Sequence, residues 1–274
     1  MKARRLRLSG VAAAALALSG PPMAHAADLL TLKEPPAQPV FFAPPFTWTG
    51  FYVGLNAGGV LGAGSRSTTL YDASFPLLSA YYPDTLGTAA SGWLGGGQTG
   101  MNWQWGGAVF GVETDIDWTS MNKTYSFTSA PLTVYVPGDI VNVNASGKLD
   151  WLGTTRARIG FVATPDYRLM FYGTGGLAYG GGAGCLNVFD NLAGLAWHGA
   201  PSSTRLGWTL GAGVEYAITD NVTLRGEYLY YNLGSSNVVT VPNLAARSFF
   251  PDVYAAAKYD YDGSIVRIGV SFKF

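Results

Sequence analysis

The sequence predicts an all-β fold, an eight-stranded antiparallel up-and-down transmembrane β-barrel. Three observations predict it. The composition is poor in charge and rich in glycine and aromatics. Eight strand-length segments are joined alternately by short turns and long connections. Within those segments, side-chain alternation sorts every charge onto one face.

Only 12% of the 274 residues are charged, about half the share usual in soluble globular proteins. Hydrophobic residues make up 48% and aromatics 14%, with 37 glycines. A chain of this length suits a single barrel domain. The mean hydropathy of +0.17 is mild for a helical membrane protein. The uncharged stretch 169–188 is long enough to span a bilayer as a helix. It holds Gly173, Gly175, Gly176, Gly180, Gly181, Gly182 and Gly184, however, each costing up to about 1 kcal/mol in a helix, so strand is the better reading.

The N-terminus precedes the barrel. Lys2, Arg4, Arg5 and Arg7 lead into the apolar run Leu8–Ser19 and then Ala24-His25-Ala26. Residues 1–26 therefore read as a secretory signal cut before Ala27. The Arg4-Arg5 pair leaves Sec and twin-arginine export both open. No Cys follows the cleavage site, so no lipid anchor is expected there. Without the four N-terminal basic residues the net charge is −4, and no basic patch suggests nucleic acid as a partner. Residues 27–47 are Pro-rich and read as a flexible periplasmic leader, leaving 48–274 for the barrel.

The eight expected strands are Gly50–Leu61, Trp93–Gln104, Gly107–Trp118, Leu149–Ala163, Tyr167–Gly180, Arg205–Ile218, Val222–Tyr231 and Ser264–Phe274. Trp105-Gly106, Thr164-Pro165-Asp166 and Thr219-Asp220-Asn221 supply hairpin turns. The remaining connections, 62–92, 119–148, 181–204 and 232–263, are long. Short turns at one end and long loops at the other match an outer-membrane barrel. An even strand count puts both termini on the short-turn, periplasmic side.

Successive strand side chains point to opposite faces. The last segment sets Val266, Ile268, Val270, Phe272 and Phe274 against Arg267, Gly269, Ser271 and Lys273. The third sets Phe110, Val112, Ile116 and Trp118 against Gly111, Glu113, Asp115 and Asp117. In this phase the polar face carries Arg156, Arg158, Arg168, Arg205, Arg225, Arg267 and Lys273 with Glu113, Asp115, Asp117, Asp150, Glu215 and Glu227. No charge reaches the apolar face. Aromatics on the apolar phase form two belts. Phe51, Trp103, Phe161, Tyr167, Tyr216 and Phe272 lie near the short turns; Trp93, Trp118, Trp151, Tyr179, Trp208 and Tyr230 lie near the long loops. Two belts around an apolar band suit the two interfaces of a bilayer, where a soluble core has no reason for such sorting. A sheet in hydrocarbon must close, because its edges find no hydrogen-bond partners.

Trp48-Thr49-Gly50-Phe51-Tyr52-Val53-Gly54-Leu55-Asn56-Ala57-Gly58 after a Pro-rich leader resembles the small outer-membrane barrel proteins of alphaproteobacteria, an OmpA-like or opacity-type family. Gly95–Gly100, Arg156–Gly160, Gly211–Tyr216 and Glu227–Tyr230 continue the likeness. Met101 departs from the Tyr usual in that family. The last strand, with Arg267, Gly269, Phe272 and Phe274, looks like the terminal signal read by the outer-membrane assembly machinery, an edge open to strand addition. The chain is expected to lack a periplasmic peptidoglycan-binding domain after Phe274. The resemblance implies an outer-membrane location, with outer-membrane lipid and lipopolysaccharide as partners. It also implies a structural role in envelope integrity and surface presentation. A small passive porin is the alternative, and an adhesin or ligand-capturing protein the third reading.

No catalytic, cofactor-binding or metal residue is assigned, and no cofactor or enzymatic activity is expected. Gly173–Ala178 matches a G-x-G-x-x-A fingerprint but lacks the following helix that phosphate binding needs. His198 is the one histidine after the signal and reads as a solvated loop residue. Cys185 is alone and reads as a small filler. The Glu113-Asp115-Asp117 row is expected to form salt bridges with lumen arginines such as Arg156 and Arg158. Gly207, Gly211, Gly213 and Gly269 argue for residual space in that lumen.

Overall fold

The computed structural model describes residues 46–62, 66–71, 91–131, 137–191, 194–200 and 202–274. The expected signal segment, and the leader as far as Pro45, lie outside the described residues.

Eight strands close into a ring: β1 (Gly50–Gly62), β3 (Ser91–Trp105), β4 (Ala108–Thr128), β5 (Val141–Val162), β6 (Leu169–Asp190), β8 (Ser202–Ala217), β9 (Val222–Val239) and β11 (Tyr254–Lys273). Each pairs antiparallel with its ring neighbours. β11 meets β1 through the register Tyr52↔Lys273 to Gly62↔Gly263, which leaves no open edge at membrane depth. Four short elements lie at the long-loop end: β2 (Arg66–Tyr71), β7 (Ala196–Gly199), β10 (Val241–Pro242) and the helix α1 (Leu244–Phe249).

The short turns differ slightly from expectation. The first hairpin turns on Gly106-Gly107 rather than Trp105-Gly106, with Trp105 paired to Ala108 and Gly106 at φ +57°. Two-residue hairpins favour a positive φ at the first loop position, which glycine adopts without steric cost. The second turn takes in Tyr167, expected to open a strand, at φ +62°. The third is tied by the Thr219 hydroxyl, which accepts from the amides of Asn221 (3.3 Å) and Val222 (3.0 Å).

In the membrane band the apolar phase faces out. Val266, Ile268, Val270 and Phe272 of β11 are each about half exposed or more, while Arg267 between them is buried. This inverts a soluble β-protein, as lipid contact requires.

Beyond the outer aromatic belt five ring strands, β4, β5, β6, β9 and β11, run on through stretches expected as loop, and there the polarity reverses. Val141, Val143 and Ala145 of β5 and Leu186 and Val188 of β6 are buried. Their neighbours Asn142, Asn144 and Ser146 point outward. Ser126 donates to Asn144 Oδ1 (2.7 Å) and Thr128 to Asn142 Oδ1 (2.9 Å) across the outer face of β4 and β5. The extension is thus built as a water-exposed sheet around a dry core.

The switch on β5 is a bulge. Against β6 the register shifts between Gly147 and Trp151, where β5 carries one residue more than its partner; against β4 it shifts between Trp118 and Met121, where the additional residue is on β4. Leu149 and Leu152 both point inward, so Asp150 and Trp151 between them point out. The lumen position expected for Asp150 is therefore corrected: it lies outside, half exposed, paired with Lys148 at 3.0 Å. A bulge inserts one residue, and one residue turns a strand over.

Candidate functional site: the barrel lumen

The ring strands aim their polar phase at the barrel axis and fill it in layers. At the short-turn mouth lies an apolar layer of Phe46, Trp48, Val109, Met170, Tyr172 and Ala217. Phe46 and Thr47, expected in the leader, belong to this mouth. The Phe46 amide donates to Asp166 O (3.2 Å) and the Trp48 amide to Gln104 Oε1 (2.8 Å). The Trp48 indole Nε1–H donates to the Tyr167 carbonyl at 2.8 Å, across the turn where Tyr167 is left-handed. Lys273 Nζ lies 4.5 Å from the centre of the Phe46 ring, and Arg168, on the rim, pairs with Asp220 at 2.7 Å. Asp166 sits in the same turn. Hydrogen bonds from the Thr164 side chain and the Arg168 amide hold its carboxyl below the usual aspartate range.

Above the plug is an ion layer centred on Glu113. Glu113 is the direct cross-strand partner of Arg156. It accepts from Arg156 (2.5 Å), Arg158 (3.3 Å), Arg225 and the Tyr52 hydroxyl (2.6 Å). Arg156 also reaches Asp115 (2.9 Å) and Glu227 (3.0 Å). Arg158 pairs with Glu215 (2.6 Å), and its guanidinium carbon lies 4.0 Å from the centre of the Tyr172 ring. Arg267 joins Asp115 (2.9 Å), Asp117 (2.8 Å) and Glu227 (2.7 Å). All these charged side chains are 3% exposed or less, so the pairs are shielded from solvent. At that depth an unpaired charge is costly and a fully paired one is rigid.

The expected bridging of Arg156 and Arg158 with Glu113 and Asp115 is present. Sequence reasoning missed the parts played by Arg225, Arg267, Tyr52 and Tyr172. Their places on the inward phase were legible, but which wall each would reach was not. The lumen glycines are also corrected, because neighbours already occupy their space. A Cβ on Gly213 would lie 2.5 Å from Tyr172 Cζ, and one on Gly269 would lie 3.1 Å from both Arg225 Nε and Gln98 Nε2. These glycines admit large inward side chains rather than leaving room.

Over the ion layer sits a second apolar layer containing Val60, Leu94, Leu149, Leu152, Leu229, Tyr231, Leu233 and Ile265. The extension adds a third, with Val141, Val143, Leu186, Val188, Trp197, Val238 and Tyr259. The Trp197 indole donates to the Val253 carbonyl at 2.9 Å and ties β7 to the chain entering β11.

Of the other residues singled out from sequence, His198 and Cys185 lie outside this lumen. His198 is exposed on β7, where its ring Nδ1 bonds Asn187 Oδ1. Cys185 faces outward from β6, with Ser146 Oγ at 2.9 Å. Gly173–Ala178 lies inside β6. Among the described residues no three His, Cys, Asp or Glu side chains are grouped to hold a metal.

A closed ring with lipid-facing apolar residues and a charged, filled interior narrows the comparison to membrane barrels. The family model "Outer membrane protein beta-barrel domain" matches residues 11–274. The chain belongs to this family. The 31 kDa outer-membrane immunogenic protein of Brucella melitensis is 38% identical over 252 residues, 92% of this chain and 93% of that protein. The 22 kDa outer membrane protein of Rhizobium leguminosarum bv. viciae is 30% identical over 240 residues, 87% and 83% of the two chains. Among solved structures, the outer membrane protein OprG from Pseudomonas aeruginosa aligns with a TM-score of 0.44 at 11% identity, over 85% of this chain and 99% of that one. The protein is an outer-membrane barrel of Gram-negative type.

Proposed function

We propose that the protein is a non-conducting structural barrel that supports envelope integrity and presents its long-loop end at the cell surface. The ion layer carries this reading: five carboxylates and four arginines interlock across the axis between two apolar layers. An eight-stranded barrel is just wide enough for its own side chains to fill it, and an ion must displace this network to pass. Conductance of the refolded protein in a planar bilayer tests the reading. Silence or brief low-amplitude flicker is expected. A large, steady, ohmic current would make a passive porin the better description.

Surface presentation draws on the long-loop end. Its sheet faces water on polar side chains, and α1 exposes Leu244 and Phe249. The name of the Brucella relative calls it immunogenic, which fits an exposed end. In this reading the short turns and both termini are periplasmic. The outward Phe272 and Phe274 are what the assembly machinery reads, and outer-membrane lipid and lipopolysaccharide cover the wall.

A further inference from the structure

Arg205 stands apart from the ion layer. It is only 8% exposed, and its two terminal guanidinium nitrogens have no hydrogen-bond partner. Its guanidinium carbon lies 3.8 Å from the centre of the Tyr261 ring. The surroundings are apolar. Arg205 is opposite Gly180 on β6, where Leu149 and Leu233 close in, and Tyr261 packs against both upper apolar layers. Every other buried arginine of the described lumen reaches at least one carboxylate. A buried guanidinium facing only an aromatic ring leaves most of its donors unused.

The wall beside Arg205 is also unusual. β8 and β9 pair from Ala217↔Thr223 up to Trp208↔Asn232 and no further. Above that point β8 continues against β6 alone and β9 against β11 alone. Strand pairing between the two sides resumes at His198↔Val241, where β7 meets β10. Gly234, at φ +75° with its amide bonded to Asn232 Oδ1, turns β9 away at the start of the gap. A cleft of about 570 Å³ lined by His198, Gly199, Val238 and Val239 opens at its upper end. The packed Trp208–Tyr230 pair of the aromatic belt marks its lower edge. The gap therefore lies just past the interfacial belt, at the depth of lipid headgroups.

We propose that Arg205 is an anion site reached through the β8–β9 gap, taking a single phosphate or carboxylate group. The guanidinium fork matches two oxygens of either group, and the apolar walls make that pairing strong. The group belongs either to a lipid headgroup or to a small free anion.

The full chain refolded in uncharged maltoside micelles is titrated calorimetrically with inorganic phosphate at constant ionic strength. In parallel, native mass spectrometry follows retention of added phosphatidic acid. The wild type is expected to bind one equivalent in at least one arm, weakened about tenfold or more in Arg205→Met and less in Arg205→Lys. Arg168→Met, altered at the opposite rim, should bind like wild type. Phosphate binding assigns the free anion; a retained lipid without phosphate binding assigns the headgroup. No binding by wild type in either arm overturns the proposal. So does binding unchanged in whichever Arg205 variant folds, for then water satisfies the guanidinium and the anion sits elsewhere.

Discussion

Glu113 and Asp150 are both carboxylates on ring strands, yet their surroundings give them opposite weight. Glu113 is fully enclosed and neutralises three guanidiniums at once. Removing it leaves Arg225 without its carboxylate and takes one partner each from Arg156 and Arg158, in a medium that cannot solvate them. Glu113→Ala should cost about 3–5 kcal/mol. Asp150 meets Lys148 with both side chains about half exposed, and Asp150→Ala should cost less than about 1 kcal/mol. Urea unfolding from lipid vesicles checks the contrast, and equal costs would dissolve the claim that the ion layer holds the barrel. The same assay reads the outer face. Ile268 is 66% exposed on the lipid side. Ile268→Arg should cost about 2–4 kcal/mol if it sits near the midplane, while Ile268→Leu should be close to neutral.

At the scale of one strand, β5 shows how position outranks identity. Its first half buries odd-numbered residues and its second half even-numbered ones, and the bulge at Asp150-Trp151 joins the two phases. The Thr119 hydroxyl donates to the Leu149 carbonyl at this point and anchors the irregular backbone. Deleting Asp150 would remove the residue that β5 carries in excess of β6 and force one half of the strand to present its wrong face. Either Arg156 and Arg158 would turn to lipid, or Val141, Val143 and Ala145 to water. The deletion is therefore expected to abolish the heat-modifiable folded band on gels, although Asp150→Ala keeps it. A deletion variant that folds like wild type would show that the register is not set by the bulge.

For the whole molecule, the layers along the axis make blockage and orientation testable together. Replacing both Arg156 and Arg158 by Ala removes two of the four guanidiniums of the ion layer and should raise single-channel conductance above the wild-type level. Unchanged silence would mean that the apolar layers alone seal the barrel. Orientation follows from the outward polar face of the extension. Asn144 is exposed there, so Asn144→Cys in a Cys185→Ser background should react with a membrane-impermeant maleimide on intact cells. Reaction only after the outer membrane is permeabilised would place the long-loop end in the periplasm.

The number of ring strands, the direction of their faces in the membrane band and the two aromatic belts were determined by the sequence alone. Hydrocarbon demands apolar side chains at every second position and a polar face turned inward, and that demand is local enough to read residue by residue from Phe110 to Trp118 or from Val266 to Phe272. The upward continuation of β4, β5, β6, β9 and β11 is legible in principle, since Val141, Val143 and Ala145 alternate with Asn142, Asn144 and Ser146. Its polarity, the reverse of the membrane band's, hides it from a reading tuned to lipid-facing strands. Other features depend on contacts between distant strands and were decided only by the tertiary structure. These include the bulge that turns Asp150 outward, the choice of Arg225 and Arg267 as partners for Glu113 and Asp117, and the return of Phe46 and Trp48 into the mouth. The same holds for Arg205, whose terminal nitrogens find no partner beside Tyr261, just above the point where the β8–β9 ladder ends at Trp208. Alternation says which way a side chain points; only closure of the barrel says what it meets there.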